Sequence, residues 1–295
     1  MIFLVESLGT FFQDLFSSQM VQYAVIAGII VGILAPLIGT VVVIRRISFI
    51  ADTLSHFSLA GVCLGVFLSY ALAGTGIERY ASPLVLGVVF SIVGTLIIEK
   101  LRNYYKNYKE LSMPIVMSLG VALSGIFIAM SKGNANNVTS SLLFGSIYTI
   151  NTNDLMSLVL IAVLIIIFAI TYYHKIVVLC FDETYAKISG LNVRRMQTMI
   201  TVCLALFIAV FMKLVGALLI ASLMIIPVAG SILMSNSFKS SVIIAIIISE
   251  ISVIFGIIGS YMLELPTGST IVLTNIIIFL LIVIFKRTSR AIKKA

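Results

Sequence analysis

Apolar runs dominate the pattern of this chain, and its polar residues fall mainly in the short gaps between them. Nine runs cover residues 21–44, 48–73, 83–100, 112–131, 154–173, 196–214, 216–235, 241–263 and 270–286. About 20 apolar residues form a helix long enough to cross the roughly 30 Å hydrocarbon core of a bilayer. The pattern therefore predicts an all-α bundle of nine membrane-spanning helices. The number falls to eight if 216–235 is re-entrant, because only Lys213 and Gly216 interrupt the stretch 196–235.

The first 19 residues have a different pattern. Residues 3–18 place apolar side chains at roughly helical spacing among Glu6, Gln13 and Asp14, but the segment is too short and too polar to cross a bilayer. We therefore expect an interfacial helix over 1–19, followed by membrane helices that make 1–295 a single domain. A basic start and a small-residue cleavage site are both missing, so we do not expect a removable signal peptide.

Composition and charge agree with a membrane protein. The chain is 61% hydrophobic and 10% charged, which excludes an ordinary soluble domain. Its net charge of +8 comes from basic residues in short segments, at 45–46, 100–109, 174–195, 239 and 286–294. Because basic loops stay in the cytoplasm, we place these segments inside and the N-terminus outside, with no need for a nucleic-acid partner. The three cysteines lack the spacing of a zinc site or a disulfide framework.

The clearest chemical signal is Asp52 followed by His56 in the second apolar run. A spacing of four places both side chains on one helical face. A carboxylate and an imidazole can supply oxygen and nitrogen ligands to a divalent cation. The alternative is a structural hydrogen bond between the two side chains. Cys63, seven residues after His56, could add a soft ligand, although a packed core thiol is the favoured interpretation.

Glu250 is a further carboxylate within an apolar run. Ionisable groups at membrane depth are costly and are functional candidates by default. Glu250 could line a pathway or accept protons. It could equally pair with Lys213 or with a helix-end amide, and the sequence leaves these interpretations open.

The segment 182–195 differs from the other loops. It begins with acidic residues, continues with one or two helical turns and reaches Gly190, which can end a helix before Arg194. A short helix here could dock into another protein, whereas composition alone favours a solvated connector.

Enzymatic motifs are missing from the sequence. It contains no P-loop, no HExxH and no GxSxG. We therefore expect a transport protein rather than an enzyme, with energy supplied by a partner or by an ion gradient.

Three motifs resemble one family. Residues 45–62 (RRISFIADTLSHFSLAGV) resemble the signature second helix of the zinc/manganese ABC-importer permeases, the ABC-3 family. Residues 142–147 (LLFGSI) resemble the segment before the middle helix of that family, and 216–227 (GALLIASLMIIP) resemble its G-x-LL-x-x-x-L-x-x-x-P run. The resemblance covers essentially the whole chain in order, length and loop placement.

This resemblance implies a type II ABC-importer-like permease in the bacterial plasma membrane. Such a permease forms a homodimer, binds two cytoplasmic ATP-binding subunits and receives metal from an extracytoplasmic binding protein. It holds no permanent cofactor, because the metal is its substrate and ATP is used by the partner. The resemblance assigns metal contact in the translocation path to Asp52 and His56. It also identifies the segment 182–195 as a coupling helix, represented by Glu183, Tyr185, Gly190 and Arg194.

The form of the motif favours zinc over manganese. The run Asp-Thr-Leu-Ser-His-x-Ser-Leu looks like the zinc branch, whereas manganese members more often show a proline where Ala60 stands here. Phe57 departs from the small residue common in the family, and we expect it either to narrow the path or to face lipid. Alternatives are an importer for vitamin B12 or iron–siderophore complexes, a proton-coupled carrier using Glu250 and Asp52, and a membrane metal enzyme.

Overall fold

The computed structural model describes residues 2–71, 82–105, 108–131, 145, 148 and 150–292. Apart from 3-10 structure at Lys109–Leu111 and at Tyr148, the regular structure of these residues is α-helical. The described residues contain twelve α-helices, which run in order as α1 Ile2–Ser17, α2 Gln19–Ile44, α3 Ile50–Ala71, α4 Pro83–Tyr104, α5 Ser112–Met130, α6 Thr152–Thr171, α7 Tyr173–Phe181, α8 Glu183–Ile188, α9 Val193–Val215, α10 Ala217–Met234, α11 Phe238–Leu263 and α12 Thr267–Ile292. The predicted all-α architecture is confirmed.

Nine helices within the described residues are long and apolar enough to cross a membrane, namely α2 to α6 and α9 to α12. The stretch 196–235 divides at Gly216, whose φ of +94° is a backbone conformation that favours glycine. Helix α9 ends just before this residue and α10 begins just after it. The structure therefore supports nine candidate spans rather than eight, and makes α10 a helix in its own right.

The predicted N-terminal helix is present as α1, which packs against α2 and α11. The Tyr261 hydroxyl of α11 donates a hydrogen bond to the Asp14 carboxylate. The Phe11 and Tyr261 rings meet edge to face, with centroids 5.3 Å apart. These contacts attach α1 to the bundle, and its place at the membrane interface stays a prediction.

Small residues allow the helices to approach closely. A β-carbon on Gly61 would meet the Leu86 carbonyl of α4, and one on Gly28 would meet Val253 of α11. The small-residue faces of α2 and α3 are therefore packing surfaces. At the centre of the core, the buried Phe207 and Phe211 rings of α9 lie 4.5 Å apart.

A second apolar cluster lies at the end of the bundle that the charge rule assigns to the cytoplasm. It joins the end of α2, both short helices α7 and α8, and the beginning of α9. Its buried members are Val41, Ile176, Leu179, Ala186, Val193, Met196 and Ile200. We call this set the cytoplasmic cluster, and it fixes α8 against the transmembrane helices.

Candidate functional site

The helix that carries Asp52 and His56 starts from a tight turn. Arg46 has a φ of +57°, and the Ile47 amide donates to the Val42 carbonyl at 3.0 Å. Helix α3 begins at Ile50, so Asp52 lies in its first turn, where the helix dipole stabilises a carboxylate.

Asp52 and His56 share one face of α3, as predicted. Both side chains are half-buried, whereas the residues between them, Thr53, Leu54 and Ser55, are buried. The Thr53 and Ser55 hydroxyls bond back to carbonyls four residues earlier, at 2.8 and 2.9 Å. Asp52 and His56 thus lie on the side of α3 that is less buried than the side formed by the three residues between them.

Helix α5 holds the turn of α3 that carries His56. The Thr53 hydroxyl lies 3.3 Å from the Met113 carbonyl of α5. A β-carbon on Gly120 of α5 would lie 2.9 Å from the Phe57 amide nitrogen. The backbone beside His56 is therefore clamped by direct contact with α5.

Phe57 was expected either to narrow the path or to face lipid, and both predictions are wrong. Phe57 is 2% exposed, and its ring lies 5.8 Å from the Phe90 ring of α4. Gly94 of α4 leaves the space that this ring occupies. One residue along a helix turns the side chain by about 100°. Phe57 consequently points into the α3–α4 contact instead of into the path or the lipid.

Cys63 is a core residue of α3. Only 1% of it is exposed, and it belongs to the main apolar core. In the described part of the chain, no group of three or more histidine, cysteine or acidic residues could hold a metal ion. The described residues of one copy therefore offer one carboxylate and one imidazole at this site, and a bound cation would take its other ligands from outside this pair.

The alternative structural role of the pair is not seen. No hydrogen bond or ion pair between the Asp52 carboxylate and the His56 imidazole occurs in the described residues. Neither group is tied to the other, so both remain available to a ligand that approaches this face.

Glu250 lies elsewhere in the bundle. Its carboxylate on α11 meets α2 at Gly32, where a β-carbon would collide with Glu250 Oε1. That oxygen is buried without a hydrogen-bond partner among the described atoms. Pro36 has no amide hydrogen, so the Gly32 carbonyl also lacks its usual helical donor. The structure does not bring Glu250 into a ligand group with Asp52 and His56, and the Lys213 side chain lies outside the described atoms.

The segment 182–195 forms the predicted short helix. The Asp182 carboxylate caps α8 by accepting from the Thr184 and Tyr185 amides at 2.8 and 3.0 Å. Beyond the end of α8, Gly190 has a φ of +80°. Asn192 then caps α9 through the Arg195 amide at 3.1 Å. Both caps are side chains that a sequence can show in advance.

The outer face of α8 is available to a partner. Tyr185 is 59% exposed and Ile188 is 80% exposed. Glu183 forms an ion pair with Lys187 at 3.1 Å. Arg194 is exposed at the start of α9. This surface combines an aromatic ring, an aliphatic side chain and charges of both signs, as protein interfaces often do.

One polar group near the site was missed by the sequence analysis. Arg45, which entered there through the charge rule and as the first residue of the motif 45–62, shares a narrow space with Glu99 and Arg102 of α4 at the base of α3. The Thr198 hydroxyl of α9 lies 3.2 and 3.3 Å from the two Glu99 carboxylate oxygens. A glutamate in the last two turns of an apolar helix was the available signal for this cluster.

Comparisons with known proteins agree with this architecture. The manganese transport system membrane protein MntC of Listeria innocua is 28% identical over 93% of this chain and 94% of its own length. The high-affinity zinc uptake system membrane protein ZnuB of Haemophilus influenzae is 29% identical over 90% and 96%. The solved structure of PsaBC from Streptococcus pneumoniae in complex with Fab matches 93% of this chain and 95% of that chain, with 26% identity and a TM-score of 0.79.

The family comparison covers most of the sequence. The ABC 3 transport family matches residues 17–286, which include α3, the segment 182–195, eight candidate spans in full and most of the ninth, Thr267–Thr288. Since the match extends over far more than half of the chain, this multi-pass membrane protein belongs to the ABC 3 transport family.

Proposed function

We propose that the chain is the permease of an ATP-binding-cassette importer that moves zinc across the bacterial membrane, with Asp52 and His56 as its metal contacts. Family membership supports the coarser statement, that it is a permease of a metal importer. The observation that carries the site assignment is the half-buried Asp52 and His56 pair on one face of α3, unbonded to each other and held from behind by α5.

The geometry suits transient binding. A carboxylate and an imidazole bind a partly dehydrated cation, and two copies related by a two-fold axis would double this set. Transport requires binding that is favourable enough to capture the ion and weak enough to release it. A pair that has no third ligand among the described residues of its own chain meets both requirements.

Energy comes from a partner in this proposal. Membership of the family implies an ATP-binding subunit and a substrate-binding protein. We assign the contact with the ATP-binding subunit to α8 and its flanks, where Glu183, Tyr185 and Arg194 are exposed. ATP binding would then favour one of two conformations of a permease dimer, which is alternating access driven by differential binding.

Zinc is preferred to manganese on the form of the motif. Relatives are named for each metal, and a carboxylate with an imidazole accepts both ions. The sequence DTLSHFSLA around the pair looks like the zinc branch. Metal identity is therefore a quantity to be measured together with the role of the two residues.

The test is cellular metal content during metal-limited growth, measured by elemental mass spectrometry. A deletion strain carries the intact gene, Asp52→Ala, His56→Ala or the control Tyr70→Phe, which changes an exposed residue at the far end of α3. We expect both site variants to lower zinc to the level of the deletion strain, at normal protein amount, while the control keeps it.

Loss of manganese alone would keep the mechanism and replace the metal. Normal content of both metals in Asp52→Ala and His56→Ala would refute the proposed site. That result would direct attention to an organic-chelate importer or a proton-coupled carrier. Uptake that persists with a disabled ATP-binding subunit would identify the carrier.

A further inference from the structure

The cytoplasmic helix α8 is mechanically connected to the transmembrane helices. Its Ala186 is fully buried and packs in the cytoplasmic cluster with Val41 of α2 and Val193 of α9. The Leu191 amide, after α8, donates back to the Ala186 carbonyl at 3.1 Å. Helix α8 contacts α7 and α9, and α7 contacts α2. Because packed interiors transmit strain, a movement of α8 acts directly on the first turn of α9 and reaches the last turn of α2 through α7.

Arg45 lies one turn beyond Val41 at the end of α2. Its amide donates to the Val41 carbonyl at 3.1 Å. Its side chain lines a polar space of about 20 Å³ where the 45–49 turn meets three helices. The other lining residues are Ile50 of α3, Thr95, Ile98, Glu99 and Arg102 of α4, and Gln197 and Thr201 of α9. This space therefore lies at the base of the helix that carries Asp52.

The charges around Arg45 connect it to α8. Burial lowers the pKa of the Arg45 guanidinium, and the nearby charge of Arg102 lowers it further. Cys180 and Glu183 act in the opposite direction and raise this pKa. An arginine stays protonated in spite of such effects. It is thus a permanent positive charge, and its electrostatic energy depends on where Glu183, the first residue of α8, is held.

The turn after Arg45 has little freedom to absorb a displacement. Arg46 occupies the left-handed region at a φ of +57°. The Ile47 amide bonds to Val42, and the Ile50 amide bonds to the Ile47 carbonyl at 2.9 Å. A shift of Arg45 therefore moves Ile50, which precedes Asp52 by two residues.

We propose that Arg45 is a positioning residue that transmits the docking of the ATP-binding subunit on α8 to the first turn of α3. This inference rests on the proposed function and deepens it, since it identifies how the partner controls the metal contacts. Arg45 acts through the turn and touches neither metal nor nucleotide.

The test measures coupling in the complete importer, reconstituted in proteoliposomes with its ATP-binding subunit and binding protein. ATP hydrolysis and uptake of radioactive zinc or manganese are measured in the same sample for wild type, Arg45→Gln, Arg45→Lys and Arg46→Gln. Arg46 is the matched control, because it is the adjacent arginine but is exposed. We expect Arg45→Gln to lower metal transported per ATP by about three- to tenfold, a range typical of residues that carry coupling.

The outcomes separate the possible explanations. Arg45→Lys should recover part of the ratio because it keeps the charge, and Arg46→Gln should match wild type. An unchanged ratio in Arg45→Gln overturns the proposal. If Arg45→Gln does not assemble, Arg45→Lys decides, because it keeps the charge but not the shape of the guanidinium: a ratio below that of wild type supports the proposal and a wild-type ratio overturns it. Absence of metal uptake by the unaltered importer would instead contradict the proposed function itself.

Discussion

At the residue scale, the reactivity of the Cys180 thiol reports on burial and charge at the cytoplasmic end of the bundle. Burial raises the pKa of the Cys180 thiol to about 11, and the positive charge of Arg45 partly opposes this rise. The thiolate is the nucleophilic form of cysteine. A raised pKa therefore means a lower thiolate fraction, and lower reactivity, at neutral pH.

We expect Cys180 to react with a maleimide about a hundredfold more slowly in the folded protein than in the denatured chain at pH 8, from the difference in thiolate fraction alone. The rate should climb as the pH approaches 11. Removing the charge in Arg45→Gln should slow the reaction further, since the opposing effect is lost. Labelling is followed by mass spectrometry in a Cys63→Ala, Cys203→Ala background.

Arg46→Gln serves again as the control, and it should leave the rate unchanged. Equal rates in folded and denatured protein would contradict the burial of Cys180. Faster labelling in Arg45→Gln would contradict the electrostatic relation between the two side chains.

At the scale of single elements, α8 depends on Gly190 for its ending. The φ of +80° at Gly190 is unfavourable for residues with a β-carbon, although the space around it is open. The penalty for Gly190→Ala is therefore one of backbone strain, about 1–2 kcal/mol. We expect this strain to loosen α8 and to weaken binding of the ATP-binding subunit by about tenfold.

Gly190→Asn is the matched comparison, because asparagine tolerates the left-handed region better than alanine does. Titration of the purified ATP-binding subunit onto the permease gives both affinities. Unchanged binding in Gly190→Ala would show that the end of α8 does not contribute to the contact. An equal loss of affinity in Gly190→Ala and Gly190→Asn would show that the cause is not backbone strain.

Much of the element layout could be predicted from local sequence. The apolar runs predict the spans, and Asp182 with Gly190 predicts α8, because caps and periodicity act within a few residues. The burial of Phe57 could not be predicted in this way, since it depends on Gly94 of another helix. The same holds for Arg45, which was expected in a loop and which tertiary packing places in one narrow space with Glu99.

At the scale of the whole molecule, the number of spans determines the side on which each later turn lies. With nine spans and an external N-terminus, the turn at 235–237 is cytoplasmic and the turn at 264–266 is external. If 216–235 were re-entrant, the turn at 235–237 would lie outside and the later helices would be inverted. Gly216 separates two full helices of 23 and 18 residues, which supports the first arrangement.

Asn236→Cys and Leu265→Cys test this arrangement in a variant without native cysteines, since both positions are exposed. We expect a membrane-impermeant maleimide to label Leu265→Cys in intact cells and Asn236→Cys only after permeabilisation. Labelling of Asn236→Cys in intact cells would favour the eight-span arrangement. That arrangement would also carry the end of α12 to the external side. The Phe238 ring, directly after this turn, lies 6.3 Å from the Phe181 ring of α7. The structure therefore places the 235–237 turn and α7 at the same end of the bundle, and the labelling tests whether that end is cytoplasmic, as the charge rule predicts.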